Sequence, residues 1–528
     1  MKILGSVLTG SLTEGFLIRI NPQVSLDSIK TGKFVSIISG DYRFFSLITD
    51  LKLEVTNPDI LLFPPSKEEN LLKEILKQKD IYATARVKLM VALDKFNNVI
   101  PVKTIPSHFS EVFEVSQEEV SLIFGDDKKD KKYFNIGTPL DMQTGVCIDL
   151  DKLVERSNAI FGKTGTGKTF ITRLILAGLI SNEKAVNLIF DMHSEYGLQA
   201  RTEGSNNFVK GLKTLFSDRV AIFSLDPEST RRRGSMPDVT ITIPYQAINV
   251  EDILSLQDEL NLHSTAIEAA YLIASKYKKK WLEVLLQRGQ DAKEFAQELG
   301  AHPESIAALY RKIKRIERLP FFVSSDKSFS VVDQLIEYLD RGINVTIEFG
   351  NYNSTFIYLL IANILTRRIH TQYIEKTEKF LGSQNKADEP KKLLITIEEA
   401  HKFLNPVTAK QTIFGTIARE MRKYYVSLLL VDQRPSGIDD EILSQVGTKI
   451  IAQLSDEKDI QSVLTGIANS SVLRGILSTL DSKKQVLVVG HAITMPVVLE
   501  TREYGEEFYK DIQGFYVKPV KELIDEIF

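Results

Sequence analysis

The chain has 528 residues, 43% of them hydrophobic and 26% charged; that is an ordinary soluble balance, with length for roughly three or four domains. A formal net charge of −3 excludes a surface coated for nucleic acid, though not a basic groove or pore. One cysteine, Cys147, excludes an internal disulfide, and no apolar run approaches the ~20 residues of a membrane span, so the expectation is a cytoplasmic protein with no membrane partner.

The first residues, Met1-Lys2-Ile3-Leu4-Gly5-Ser6, open a strand pattern rather than a signal peptide. Residues 5–8, 15–20, 33–38 and 44–50 are short apolar runs between turn residues, which predicts a small β-barrel. A helix is expected over 68–78, then a strand over 84–93. The mixed-charge stretch at 125–132 reads as a solvated connection. From 148 onward buried strands alternate with helices, beginning with Ala159-Ile160-Phe161 and Val186-Asn187-Leu188-Ile189-Phe190-Asp191. Strand, helix, strand in this order is a βαβ unit and predicts a mainly parallel sheet. Further strands are expected at 220–225, 343–349, 393–397 and 427–431. Residues 250 to 320 break the rhythm with helical patterns throughout and read as an insertion. Residues 380–392 are polar and read as a mobile loop. A hairpin at 485–489 and 495–500 and an amphipathic helix at 517–528 close the chain.

The fold class expected is therefore α/β: a P-loop motor domain with a mainly parallel sheet, an N-terminal small β-barrel and a helical insertion. The domains expected are 1–147 for the barrel and its connection, 148–250 and 326–484 for the two parts of the core, 251–325 for the insertion, and 485–528 for the terminal hairpin and helix.

Gly162-Lys163-Thr164-Gly165-Thr166-Gly167-Lys168-Thr169 fits GxxxxGK[ST] between a strand and a helix. Glycines let backbone N–H groups point inward around a β-phosphate, and the helix N-terminus adds positive potential. Lys168 would reach the β- and γ-phosphates of ATP, and the Thr169 hydroxyl would ligate Mg²⁺. A second motif, Leu393-Leu394-Ile395-Thr396-Ile397-Glu398-Glu399-Ala400-His401, ends an apolar strand in two carboxylates. Open α/β sheets hold ligands at such strand ends. Glu398 would lie near the Mg²⁺ shell, and Glu399 would polarise the attacking water. In Val426-Ser427-Leu428-Leu429-Leu430-Val431-Asp432-Gln433, Gln433 ends a buried strand and could hydrogen-bond the γ-phosphate or the water. Phosphoryl transfer gains from an arginine aimed at the developing charge. Arg419 and Arg422, three apart and expected on one helix face, are candidates, and Arg156 is a third.

These motifs together, with Arg156, Phe190-Asp191-Met192-His193-Ser194-Glu195-Tyr196, Asp432-Gln433-Arg434-Pro435 and Gly490-His491-Ala492, resemble the HerA family of DNA-translocating ATPases. Gly5-Ser6-Val7 and Gly40-Asp41 are similar to that family's HAS-type barrel. The resemblance implies a RecA-like motor, a homo-hexameric ring with nucleotide at subunit interfaces, and double-stranded DNA in a central channel. It also implies arginines completing a neighbour's site, and a partner such as a NurA-like nuclease or a Sir2-like effector in DNA repair or antiviral defence. Glu398 stands where many P-loop proteins have Asp. The basic run Arg231-Arg232-Arg233 is the candidate DNA contact. Two other readings stand beside the helicase: a nucleotide-regulated ring scaffold that activates a partner effector, and a secretion-type ATPase that moves protein.

Overall fold

The structure is a computed structural model. It describes the chain except residues 1, 63–64, 66–75, 77–79, 141, 202–207, 255, 325–330, 411, 468–469, 482–483 and 515–528. The helices expected at 68–78 and 517–528 lie outside the described residues or almost wholly so. The chain divides into two compact units, Met1–Leu150 with Thr448–Glu503, and Asp151–Gly447 with Tyr504–Phe528.

In the first unit, the strands Ile3–Ser11, Gly15–Ile20, Phe34–Ser39, Tyr42–Val55, Ile81–Leu93 and Glu111–Glu114 pair in a ring. Pairing of Gly15–Ile20 with Ile81–Leu93 closes it, so the barrel has no open edge among these six strands. Alternation drives closure: Phe16, Ile18 and Ile20 from one strand meet Val35, Ile37, Phe44, Ile48, Ala85 and Val87 in a single apolar core. The same unit holds an antiparallel ladder of Thr448–Ile451, Gln485–Gly490, Val497–Thr501, Tyr133–Pro139 and Val146–Asp149. Residues 448–484, assigned to the motor core on sequence, thus group by contact with the N-terminal unit.

The second unit is built on seven parallel strands. Their order is Val239–Thr240, Val220–Ser224, Asn344–Glu348, Val186–Asp191, Leu393–Glu398, Val426–Asp432 and Asn158–Phe161. The central strands are buried along their whole length, which is why they read as continuous apolar runs rather than alternating ones. The helical insertion runs through Val250–Leu254, Gln257–Leu260, Ser264–Tyr277, Trp281–Arg288, Ala292–Leu299 and Pro303–Ile313. Its Trp281 is buried, and the indole N–H donates to Ile248 O at 2.8 Å.

Two local expectations change. Residues 380–383 are not loop: they are the last turn of a 29-residue helix, Thr355–Ser383, which Gln384 ends in a left-handed conformation at φ 51°. The helix expected to carry both Arg419 and Arg422 is shorter than that: Ile413–Glu420 stops between them, and Arg422 lies in the tighter turn Met421–Tyr424.

Candidate nucleotide site

The phosphate-loop strand, Asn158–Phe161, enters the sheet beside Val426–Asp432, with Phe161 opposite Asp432. The loop then leaves into the helix Lys168–Ser181. Gly165 and Gly167 take φ of 82° and 86°, a region that costs a side-chain-bearing residue. Their backbone freedom lets the loop curl around its own centre. Lys168 Nζ donates to Lys163 O at 3.0 Å, so the ammonium lies back over the loop. Thr166 is buried and donates to the same carbonyl at 2.8 Å.

Register places the remaining chemistry beside this loop. Ile397 pairs with Phe190 on one side and Leu430 on the other, so the strand ends Asp191, Glu398 and Asp432 come out at one edge. Glu399 follows in a left-handed conformation, φ 49°, which a non-glycine residue holds only under local strain. Gln433 joins the two motifs. Its amide Nε2 donates to Glu399 Oε1 at 3.1 Å, while its Oε1 accepts from the Thr164 hydroxyl at 2.7 Å. Thr164, Gln433 and Glu399 thus form one hydrogen-bonded chain from the phosphate loop to the expected general base.

Glu398 is buried. The Tyr196 hydroxyl donates to its Oε1 at 2.8 Å, and the Tyr358 hydroxyl donates to its backbone carbonyl at 3.2 Å and accepts from its backbone N–H at 2.9 Å. Its Oε2 has no hydrogen-bond partner among the described residues. Burial, then the neighbouring Asp191 charge, pushes the Glu398 carboxyl up to about 8. Burial and Glu348 push Asp191 up to about 6, even though it accepts from the backbone N–H groups of Glu195, Tyr196 and Gly197. Thr169 donates to Glu195 Oε2 at 2.9 Å. Asp432 accepts from the His401 backbone at 2.6 Å and meets His401 Nδ1 at 3.0 Å; that bond holds the imidazole pKa above its ordinary value. Glu399, His401 and Asp432 offer ligand atoms all within 4.8 Å of one another.

The site therefore brings together Lys168, Thr164, Thr169, Glu398, Glu399 and Gln433 at one edge of the sheet. The arginines stand differently. Arg419 donates to Ala409 O at 2.9 Å, capping its own neighbourhood. The side chain of Arg422 lies outside the described residues, and Arg156 is exposed in a bend before the first strand. Arg231 and Arg232 lie not on a loop but in the short helix Pro227–Arg232, and Arg233 caps it. Arg233 is bound inward, forming an ion pair with the fully buried Glu348, which also accepts from Thr230 at 3.1 Å.

Sequence reasoning assigned no role to Asp191, Glu195, Tyr196, His401 or Asp432. Asp191 and Asp432 carried a usable signal, since each ends an apolar strand of a parallel sheet.

The fold and this site define a P-loop ATPase on a parallel RecA-like sheet. The family model "Helicase HerA, central domain" matches residues 134–369, and that of the HAS barrel domain matches residues 4–93. Over 512 residues the chain is 24% identical to the DNA double-strand break repair helicase HerA of Sulfurisphaera tokodaii, covering 95% of this chain and 93% of the relative. The Pyrococcus furiosus protein of the same name is 23% identical over 469 residues, 81% of this chain and 79% of that one. Among solved structures, VirB4 of Thermoanaerobacter pseudethanolicus superposes with a TM-score of 0.46 at 13% identity, over 72% of this chain and 99% of that chain. The chain is similar to HerA helicases along most of its length, and its activity is that of an ATPase. No helix among the described residues is long and apolar enough to cross a membrane.

Proposed function

We propose that this ATPase couples ATP hydrolysis to movement along double-stranded DNA. Six copies form a ring, duplex passes through the central channel, and the motor feeds a partner nuclease of the NurA type or a Sir2-like effector, in DNA repair or in defence against phage. The observation that carries the reading is the hydrogen-bonded chain Thr164–Gln433–Glu399, which ties the phosphate loop to the base across the ends of three neighbouring strands. The likeness to HerA supports DNA as the track, since the curated relatives are named as DNA repair helicases.

Mg²⁺ would accompany ATP. The residues fit a divalent cation: Asp191, Glu195 and Glu398 are mutually repelling carboxylates at one sheet edge, and Glu398 Oε2 is buried without a partner among the described residues. Thr169 and Glu398 would hold the ion, which neutralises charge on the phosphates when bound. Glu399 accepts the proton of the attacking water, and Gln433 orients that water from the γ-phosphate side. Arg419 or Arg422, with Arg156 as a third candidate, completes the site of the neighbouring copy.

DNA contact is electrostatic and independent of base sequence. Arg231 and Arg232 are the exposed cations proposed to line the channel. Replacing both with Ala should lower ATPase stimulation by duplex DNA while basal turnover stays unchanged; undiminished stimulation would remove them from the channel. Arg233 is expected to behave differently. Arg233→Ala leaves buried Glu348 without its cation and should cost on the order of 2–3 kcal/mol of stability. Urea denaturation checks this, with Arg231→Ala as the control expected within about 0.5 kcal/mol of wild type.

A further inference from the structure

The segment after the Val186–Asp191 strand is built with more constraint than a connection needs. The Asp191 carboxylate accepts three successive backbone N–H groups, from Glu195 at 2.7 Å, Tyr196 at 2.8 Å and Gly197 at 3.1 Å. Ser194 takes a left-handed φ of 58° to make the turn. The buried guanidinium of Arg173 donates Nε to Glu195 O at 2.9 Å. Thr169, one helical turn before Arg173 on the phosphate-loop helix, donates its hydroxyl to Glu195 Oε2 at 2.9 Å. The helix therefore grips one residue at both ends, its main-chain carbonyl through Arg173 and its side-chain carboxylate through Thr169.

The next residue faces the other acid, for Tyr196 donates to Glu398 Oε1 at 2.8 Å. Glu398 is 8% exposed and so engaged, whereas Glu195 is half-buried. A Thr hydroxyl has one proton and two lone pairs. Once the Glu195 carboxylate holds the proton, the hydroxyl oxygen is left to act as an acceptor or metal ligand. The orientation of the Thr169 oxygen is thus set before any ligand arrives, and such pre-set donors cost no reordering on binding.

We infer that Glu195 is a positioning residue for the metal-bound nucleotide: its carboxylate fixes the Thr169 hydroxyl so that the oxygen faces the Mg²⁺ of Mg·ATP, with its backbone locked by Asp191 and Arg173. The inference rests on the reading of residues 162–169 as the phosphate loop. Because Glu195 acts through Thr169, its effect belongs to metal-dependent binding and not to nucleotide binding as such.

The test is titration of the full-length protein with a fluorescent ADP analogue, once with MgCl₂ and once with EDTA. Wild type is expected to bind more tightly with Mg²⁺. Glu195→Ala should lose about tenfold or more of that metal-dependent gain, the scale of a hydrogen bond to a charged group, and keep its affinity in EDTA. Glu195→Gln keeps an acceptor for Thr169 without the charge. It should fold as wild type, retain part of the gain and require more Mg²⁺ to reach it. An undiminished gain in Glu195→Ala, or equal losses with and without Mg²⁺, overturns the inference. If the Ala variant does not fold, an unchanged Mg²⁺ requirement in Glu195→Gln overturns it. Lys168→Ala, run in parallel, separates the two readings: binding unaffected in that variant removes the phosphate-loop assignment itself and the inference with it.

Discussion

Glu399→Gln should bind ATP and hardly turn it over, with kcat lower by about 10²–10⁴-fold, the usual contribution of a positioned general base. The substitution preserves shape, so the hydrogen bond from Gln433 can be kept and the phosphate loop is not disturbed. It removes only the capacity to take a proton. Glu399 is the acid that fits this role because it is half-buried at the site, whereas Glu398 beside it is buried and engaged with Tyr196. The left-handed backbone at Glu399 turns consecutive acids onto different tasks. Single-turnover hydrolysis and nucleotide binding should be measured on one preparation. Normal turnover in this variant would refute the base assignment, and lost binding would show that Glu399 instead holds the loop.

Lys168→Ala should abolish hydrolysis for a different reason. Its ammonium rests on Lys163 O inside the loop, where the phosphate-loop reading expects the β- and γ-phosphates. A hydrogen bond to a charged group is worth roughly 1.5–3 kcal/mol, so ATP binding should weaken about 10–100-fold. The same ammonium stabilises charge developing in the transition state, which removes a further factor of about 10²–10³ from kcat. The two variants are therefore distinguishable: Lys168→Ala loses affinity and rate together, Glu399→Gln rate alone. Retained affinity in Lys168→Ala would contradict the placement of phosphate.

What was legible in the sequence was local. The octet from Gly162 to Thr169, and the apolar runs ending at Asp191, Glu398 and Gln433, carry their meaning within a few neighbours, because a buried parallel strand must be apolar along its length. What escaped was made by contacts distant in sequence. Thr169 meets Glu195 across 26 residues, Tyr196 meets Glu398 across 202, and Arg233 meets Glu348 across 115. No periodicity encodes such pairs. The run Arg231-Arg232-Arg233 looked uniform, yet Arg233 is ion-paired with the buried Glu348. The long helix overran its expected end because Gly382, a weak helix former with open space about it, and the exposed Ser383 have the composition of a loop although they close the last helical turn.

The proposed translocation along duplex DNA is tested most directly by displacement of a third strand. The purified protein is given a duplex carrying a short triplex, with ATP and Mg²⁺, and release of the third strand is followed over time. The account predicts release that requires ATP and is absent in both Lys168→Ala and Glu399→Gln. ATP hydrolysis at the normal rate with no strand released, and no stimulation by duplex, would contradict it.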